Sequence, residues 1–225
     1  MKKLLLFDID GTLVTGGRHD RFELAIHNLH GIKPAYDKDF RGYTDYLILA
    51  ALLESEGWSD EQIRSATPKL LKELDKIHAE TFEKGEVTLL PGVKKLLDSL
   101  SETDSILGLI TGNLESIAKR KLEALGIWKY FSLGGYGSDP HTVRADLVKQ
   151  AIERAHFEEA IDAVYVIGDT ARDIDAAHAA GVVNSVGVAN GFRSSQELID
   201  AGATIVLEDF KDTKEVLKAF GFSLY

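Results

Sequence analysis

Leu4-Leu5-Leu6-Phe7-Asp8-Ile9-Asp10-Gly11-Thr12-Leu13, residues 4–13, decides how this chain is read. Leu4 to Phe7 is an apolar run without alternation, too short for a buried helix. Such runs mark strands of a parallel sheet covered by helices on both faces. The run ends in two acids one residue apart, followed by glycine. In open α/β sheets, ligands collect at the carboxyl ends of the strands, so this acid pair stands where chemistry is done. One carboxylate there can serve as nucleophile or metal ligand and the other as proton donor. Asp-x-Asp-Gly is also an ordinary turn; its place directly after a buried run favours the functional reading.

Working outward, the same pattern returns. Ile106 to Ile110 ends in Thr111-Gly112-Asn113, and Val164 to Ile167 ends in Gly168-Asp169. Ser185 to Val188 and Thr204 to Leu207 are further short runs. Between them lie stretches of helical spacing. Val93, Leu96, Leu97 and Leu100 make one apolar face, and Leu114, Ile117, Ala118, Leu122 and Leu125 make a second, closed by Gly126. Leu147, Val148, Ala151, Ile152 and Ala155 make a third. Strand–helix alternation of this kind predicts an α/β fold with a doubly wound parallel sheet. Residues from about 20 to 84 break the rhythm with helix signals only, among them Phe22, Ala25, Ile26 and Leu29, and a capping box at Ser59-Asp60-Glu61-Gln62. The expected organisation is therefore a core of residues 1–15 plus 87–225 and an inserted all-helical domain of residues 16–86.

Composition narrows the function classes. The 225 residues carry 26 Lys plus Arg against 36 Asp plus Glu, a formal charge of −10. That balance argues against a nucleic-acid partner held by a basic surface and against an anionic membrane surface. There is no cysteine, which excludes disulfides, thiolate zinc sites and iron–sulfur clusters. The opening MKKLLLF resembles the start of a signal peptide, but its apolar run stops at Asp8, and no run approaches membrane-spanning length. The expectation is a cytoplasmic protein.

Three further candidate sites emerge. Thr111-Gly112-Asn113 offers a hydroxyl and backbone N–H groups at a helix start, which suits an anion or an N-cap equally. Asp169 and Asp173, in Gly168-Asp169-Thr170-Ala171-Arg172-Asp173, suit a hard cation such as Mg²⁺, or helix capping. Arg144 opens the helix that holds Leu147; it can brace a phosphate or lie on the surface. Lys119-Arg120-Lys121 reads as a solvated helix face.

Taken together, FDIDGTL at 7–13, LITGN at 109–113 and GDTARDID at 168–175 resemble the haloacid dehalogenase-like hydrolase superfamily, and within it the phosphoglycolate phosphatase-like branch with a helical cap. The resemblance implies a Mg²⁺-dependent phosphatase acting on a small phosphorylated metabolite through an aspartyl-phosphate. It implies Asp8 as nucleophile and Asp10 as general acid and base. It implies phosphate binding by Thr111 with the amides of Gly112 and Asn113, and a metal held by Asp8, the Asp10 main-chain carbonyl and Asp169, with Asp173 in support. The basic anchor departs from the Lys-Pro common in that branch; Arg144, followed by Ala145, is the best match and Lys149 the fallback. Phe40-Arg41-Gly42-Tyr43-Thr44-Asp45 resembles the substrate-facing cap stretch. There Arg41 or Thr44 touches the leaving group, unless Thr44 caps a helix and Arg41 is solvated.

The chemistry is consistent with this. An alkoxide leaves poorly without a proton, so phosphoryl transfer needs the second acid that halide expulsion does not. Asp10 would then have to be protonated near neutral pH, with its pKa raised by desolvation under a closing cap. A phosphomutase shares these roles and is the alternative. A phospho-accepting signalling module is a more distant one, since such modules are smaller and carry no insert.

Overall fold

The computed structural model describes residues 2–138, 143–156, 160–190 and 194–223. The chain runs β1 (Lys3–Phe7), β2 (Val14–Gly16), α1 (Asp20–His30), α2 (Asp45–Ser55), α3 (Asp60–Thr81), β3 (Val87–Leu89), α4 (Val93–Ser101), β4 (Ser105–Thr111) and α5 (Glu115–Ala124). After a short 3₁₀ turn come β5 (Leu133–Tyr136), α6 (Arg144–His156), β6 (Ala163–Gly168), α7 (Ala171–Ala179), β7 (Asn184–Val188), α8 (Ser195–Asp200), β8 (Ile205–Leu207) and α9 (Thr213–Ala219).

Six strands form one sheet in the order β5-β4-β1-β6-β7-β8, every pair parallel. The chain builds outward from β1 to β5, then returns to the other side of β1 with β6. The direction of winding therefore reverses between β1 and β6, the switch point at which open α/β sheets bind ligands. Register aligns Phe7 with both Leu109 and Ile167, so the residues that follow these three strands emerge at one level.

Strand alternation explains the two-sided core. Leu5 and Phe7 point to one face and join Leu96, Leu97, Val216 and Phe220. Leu4 and Leu6 point to the other and join Val148, Ala151, Ala176 and Ala177. This is why the Leu4–Phe7 run is apolar throughout. The five expected strands are all present. β5 is an addition: its Leu-Gly-Gly-Tyr carries little strand preference, and its sheet position comes from pairing with β4.

Between β2 and β3 the chain leaves the sheet and makes α1, α2 and α3. Their apolar faces close around Ile26, Leu49, Leu53 and Leu70, and this cluster takes in Leu114 and Ile117 from the α5 region. The short β2–β3 pair is antiparallel and unforeseen, with Val14 opposite Leu89 and Gly16 opposite Val87. The buried Arg21–Glu86 ion pair, at 2.5 Å, ties α1 to the returning chain. The expected capping box at Ser59 and Gln62 is formed. Gly126 follows α5 at φ 70°, as its helix-ending role requires. Among the described residues no helix is long and apolar enough to cross a membrane.

Candidate active site

The ends of β1, β4 and β6 place the predicted residues side by side. Asp8 follows β1 with its backbone N–H on Ile167 O at 2.8 Å, so the β1–β6 ladder continues into the site. Asp8, Asp169 and Asp173 are all buried, and one carboxylate oxygen from each lies within 4.8 Å of the others. Gly11, at φ 89°, makes room for this: a Cβ there would stand 2.4 Å from Asp169 Oδ2. Asp173 also closes the α7 capping box, accepting from Thr170 N at 3.0 Å and Thr170 Oγ1 at 2.6 Å. Asp173 thus caps α7 and at the same time stands in the acid cluster.

Arg144, the first residue of α6, is buried against this cluster. Its guanidinium lies 2.5 Å from Asp8 Oδ1 and 2.5 Å from Asp173 Oδ1. Lys149, the fallback, is exposed and lies 3.6 Å from Asp146. Burial pushes the Asp8 carboxyl well above the usual carboxylate range; Arg144 opposes that, while Asp173, Asp169 and Asp10 add to it. Three buried carboxyl groups meet here, and their donors are hard oxygens, the ligand type that a divalent cation such as Mg²⁺ takes.

Asp10 takes a different course. Its carboxylate lies outside the acid cluster and accepts from Asn113 Nδ2 at 2.7 Å and from Lys121 Nζ at 2.8 Å through both oxygens. Lys121 also donates to Asn113 Oδ1 at 2.9 Å. Burial alone would raise the Asp10 pKa, but the Lys121 charge and these hydrogen bonds outweigh it and hold the group below its ordinary value. In this arrangement Asp10 is therefore ionised, the opposite of the state expected of it under a closing cap. The reading of Lys121 as a solvated residue is corrected. It is 8% exposed, because it shares the inward stripe of α5 with Ile117, Ala118 and Leu122. That stripe was the signal available in the sequence.

Thr111 is buried at the end of β4, and its Oγ1 accepts from Asn113 N at 3.2 Å and Asn113 Nδ2 at 3.0 Å. The Asn113 amide expected to meet phosphate is thus engaged within the turn. Gly112 lets the helical insert approach: its carbonyl accepts from Asp45 N at 2.8 Å, and a Cβ would stand 2.2 Å from Tyr43 O. Thr44 takes the capping role. It caps α2, with Oγ1 accepting from Leu47 N at 3.2 Å, and is 1% exposed. Arg41 is exposed and its guanidinium is bidentate on Asp39, at 2.8 and 2.7 Å. Asp45 was missed as a site residue. It is buried, its Oδ2 accepts from Leu114 N at 2.8 Å, and burial pushes its pKa up to about 7, helped by Asp10 and opposed by the Leu114 N–H and Lys121.

Beside Asp10 lies a cavity of about 310 Å³. Asp10, Asn113 and Lys121 line it from the sheet side, and Phe22, Tyr36, Phe40 and Tyr43 from the insert. The aromatic wall is continuous: Tyr36 and Phe40 ring centres are 4.7 Å apart, and Phe40 and Tyr43 are 5.6 Å apart.

Comparison with known proteins agrees with this architecture. The phosphoglycolate phosphatase of Synechococcus elongatus is 28% identical over 214 residues, covering 92% of this chain and 93% of that protein. The phosphoglycolate phosphatase of Salmonella typhimurium is 29% identical over 154 residues, covering 68% of this chain but only 59% of that protein. The β-phosphoglucomutase of Clostridium difficile shares the fold at TM-score 0.72 and 18% identity, covering 98% of each chain. The sequence model of the haloacid dehalogenase-like hydrolases matches residues 5–188, from β1 to the end of β7, and the chain belongs to that family.

Proposed function

We propose that this hydrolase is a Mg²⁺-dependent phosphatase that cleaves a small phosphomonoester through a phosphorylated Asp8. The observation that carries the reading is the buried meeting of Asp8, Asp169 and Asp173 at the β1–β6 switch point, with Arg144 upon it. Relatives that are phosphoglycolate phosphatases support it. Asp8, Asp169 and Asp173 would hold Mg²⁺, which would supply positive charge to keep Asp8 ionised and to shield it from an anionic ester.

The chain's own residues do the rest. A carboxylate oxygen of Asp8 attacks phosphorus, and the P–O bond to the leaving group breaks. Arg144 holds charge on the phosphoryl oxygens and positions Asp8. The leaving oxygen needs a proton. At rest that proton is on the Lys121 ammonium, hydrogen-bonded to Asp10, and we place its delivery through Asp10. In the second step water attacks phosphorus, the Asp8–phosphorus bond breaks, and ionised Asp10 takes the proton from water. The cavity beside Asp10 takes the leaving group.

The test is phosphate release from a panel of sugar phosphates, phosphoglycolate, nucleotides and p-nitrophenyl phosphate with Mg²⁺. Activity that vanishes in Asp8→Asn supports the reading. Release from no ester overturns it, and a rearranged sugar phosphate in place of free phosphate identifies a mutase.

A further inference from the structure

We infer that His78, in the last turn of α3, determines specificity: its Nε2–H receives an acceptor oxygen on the leaving group of the ester. The inference rests on the phosphatase reading above and adds what the cavity recognises. His78 lines the same cavity as Asp10 and Lys121 and is 4% exposed. Its Nδ1 lies 2.9 Å from Arg120 Nη1. A guanidinium only donates, so Nδ1 is the acceptor and the ring proton sits on Nε2. Nε2 is buried and has no hydrogen-bond partner among the described residues. Orphaned buried donors are rare in folded proteins, and one carried by a residue that lines a ligand-sized cavity calls for a ligand atom.

The surroundings keep this donor neutral and fixed. Burial, then Arg21, Lys121 and Arg120, pull the His78 pKa down to about 3, so the ring is an uncharged donor across the physiological range. Its face stacks on Phe82 at 5.0 Å, and Arg120 is anchored 3.2 Å from Asp75. A donor held this way costs little to order on binding. Arg21, Arg120 and Lys121 lie nearby but are paired with Glu86, Asp75 and Asp10, so the donor asks for an acceptor oxygen rather than for charge. Leu74 and Ile117 line the same cavity, so the His78 donor meets one end of the leaving group beside an apolar stretch of wall.

The experiment compares short alkyl phosphates, two to four carbons long, that end in a carboxylate, an aldehyde, a hydroxyl or a methyl group. The wild type should favour an oxygen-bearing end over methyl by about tenfold or more in kcat/KM. His78→Phe, which keeps a ring on Phe82 but no donor, should bring that ratio close to one; His78→Gln, which keeps an N–H, should retain part of it. No preference in the wild type, or a parallel loss on every ester in His78→Phe, overturns the inference and leaves the phosphatase reading intact. Independently, the His78 Nε2–H signal of ¹⁵N-histidine protein should shift when the matching alcohols are titrated. A shift without hydrolysis of any ester would defeat the phosphatase reading and keep the subsite; a signal that no alcohol moves defeats the subsite.

Discussion

Lys121 Nζ stands 2.8 Å from both carboxylate oxygens of Asp10, linking the inward face of α5 to the turn after β1. The contact fixes where Asp10 points and keeps it ionised at rest. Lys121→Met removes the cation and the bonds while keeping the stem. We expect kcat to fall on the order of 10²-fold, the scale of a disturbed proton transfer. Because Lys121 holds the Asp10 pKa down, its loss should move the limb of the pH–rate profile that belongs to Asp10 toward higher pH. An unchanged rate and profile would remove this pair from the chemistry.

Arg144 gives the acid cluster its positive charge from within the protein. Arg144→Met leaves Asp8, Asp169 and Asp173 buried together without it. Breaking a buried pair in this way should lower stability by about 3–5 kcal/mol in chelator. Mg²⁺ should restore much of that loss. In the wild type, Mg²⁺ at about a hundred times its dissociation constant should add about 2.7 kcal/mol, and Asp169→Asn should lose most of that gain. Denaturant titrations with and without Mg²⁺ measure both; equal stabilities in the two conditions would contradict the cluster as a cation site.

Asp45 links stability to pH. Its folded pKa, about 7, lies above the ordinary 3.8. The folded state therefore holds this proton more tightly than the unfolded chain. The stabilisation is full below the ordinary value and is lost as pH rises through about 7. Asp45→Asn keeps an oxygen for the Leu114 N–H and has nothing to ionise. It should flatten the stability profile between about pH 4 and 7 and exceed the wild type above pH 8 by a few kcal/mol. Parallel profiles for the two proteins would refute the assignment.

The sheet was legible because its strands are buried on both faces and so read as unbroken apolar runs ended by acids or by Thr-Gly-Asn. β5 was not, because Gly134 and Gly135 have no side chain to carry a pattern; nor was the β2–β3 pair, three residues on each side. Residues at strand ends, such as Asp8, Asp169 and Thr111, were visible as breaks in apolar runs. Lys121 and Asp45 were not read that way. Each sits on a helix where its type suggests solvent; for Lys121 its place on the apolar stripe of α5 was the one sign otherwise, and for Asp45 only the packing of the insert against α5 decides. The polar groups of Thr44 and Arg41 are engaged locally, Thr44 as the cap of α2 and Arg41 on Asp39, while Arg41 still lines the cavity beside Asp10. The Arg144–Asp173 contact spans 29 residues and depends on how α6 and α7 pack, which no motif encodes.

The central claim is that Asp8 takes the phosphoryl group. The direct measurement is rapid acid quench of the enzyme turning over a ³²P-labelled ester with Mg²⁺, followed by peptide mapping. The account predicts transient label, labile to hydroxylamine, on the peptide that contains Asp8, and none in Asp8→Asn. Phosphate release at an undiminished rate by Asp8→Asn, or label on another residue, would contradict it.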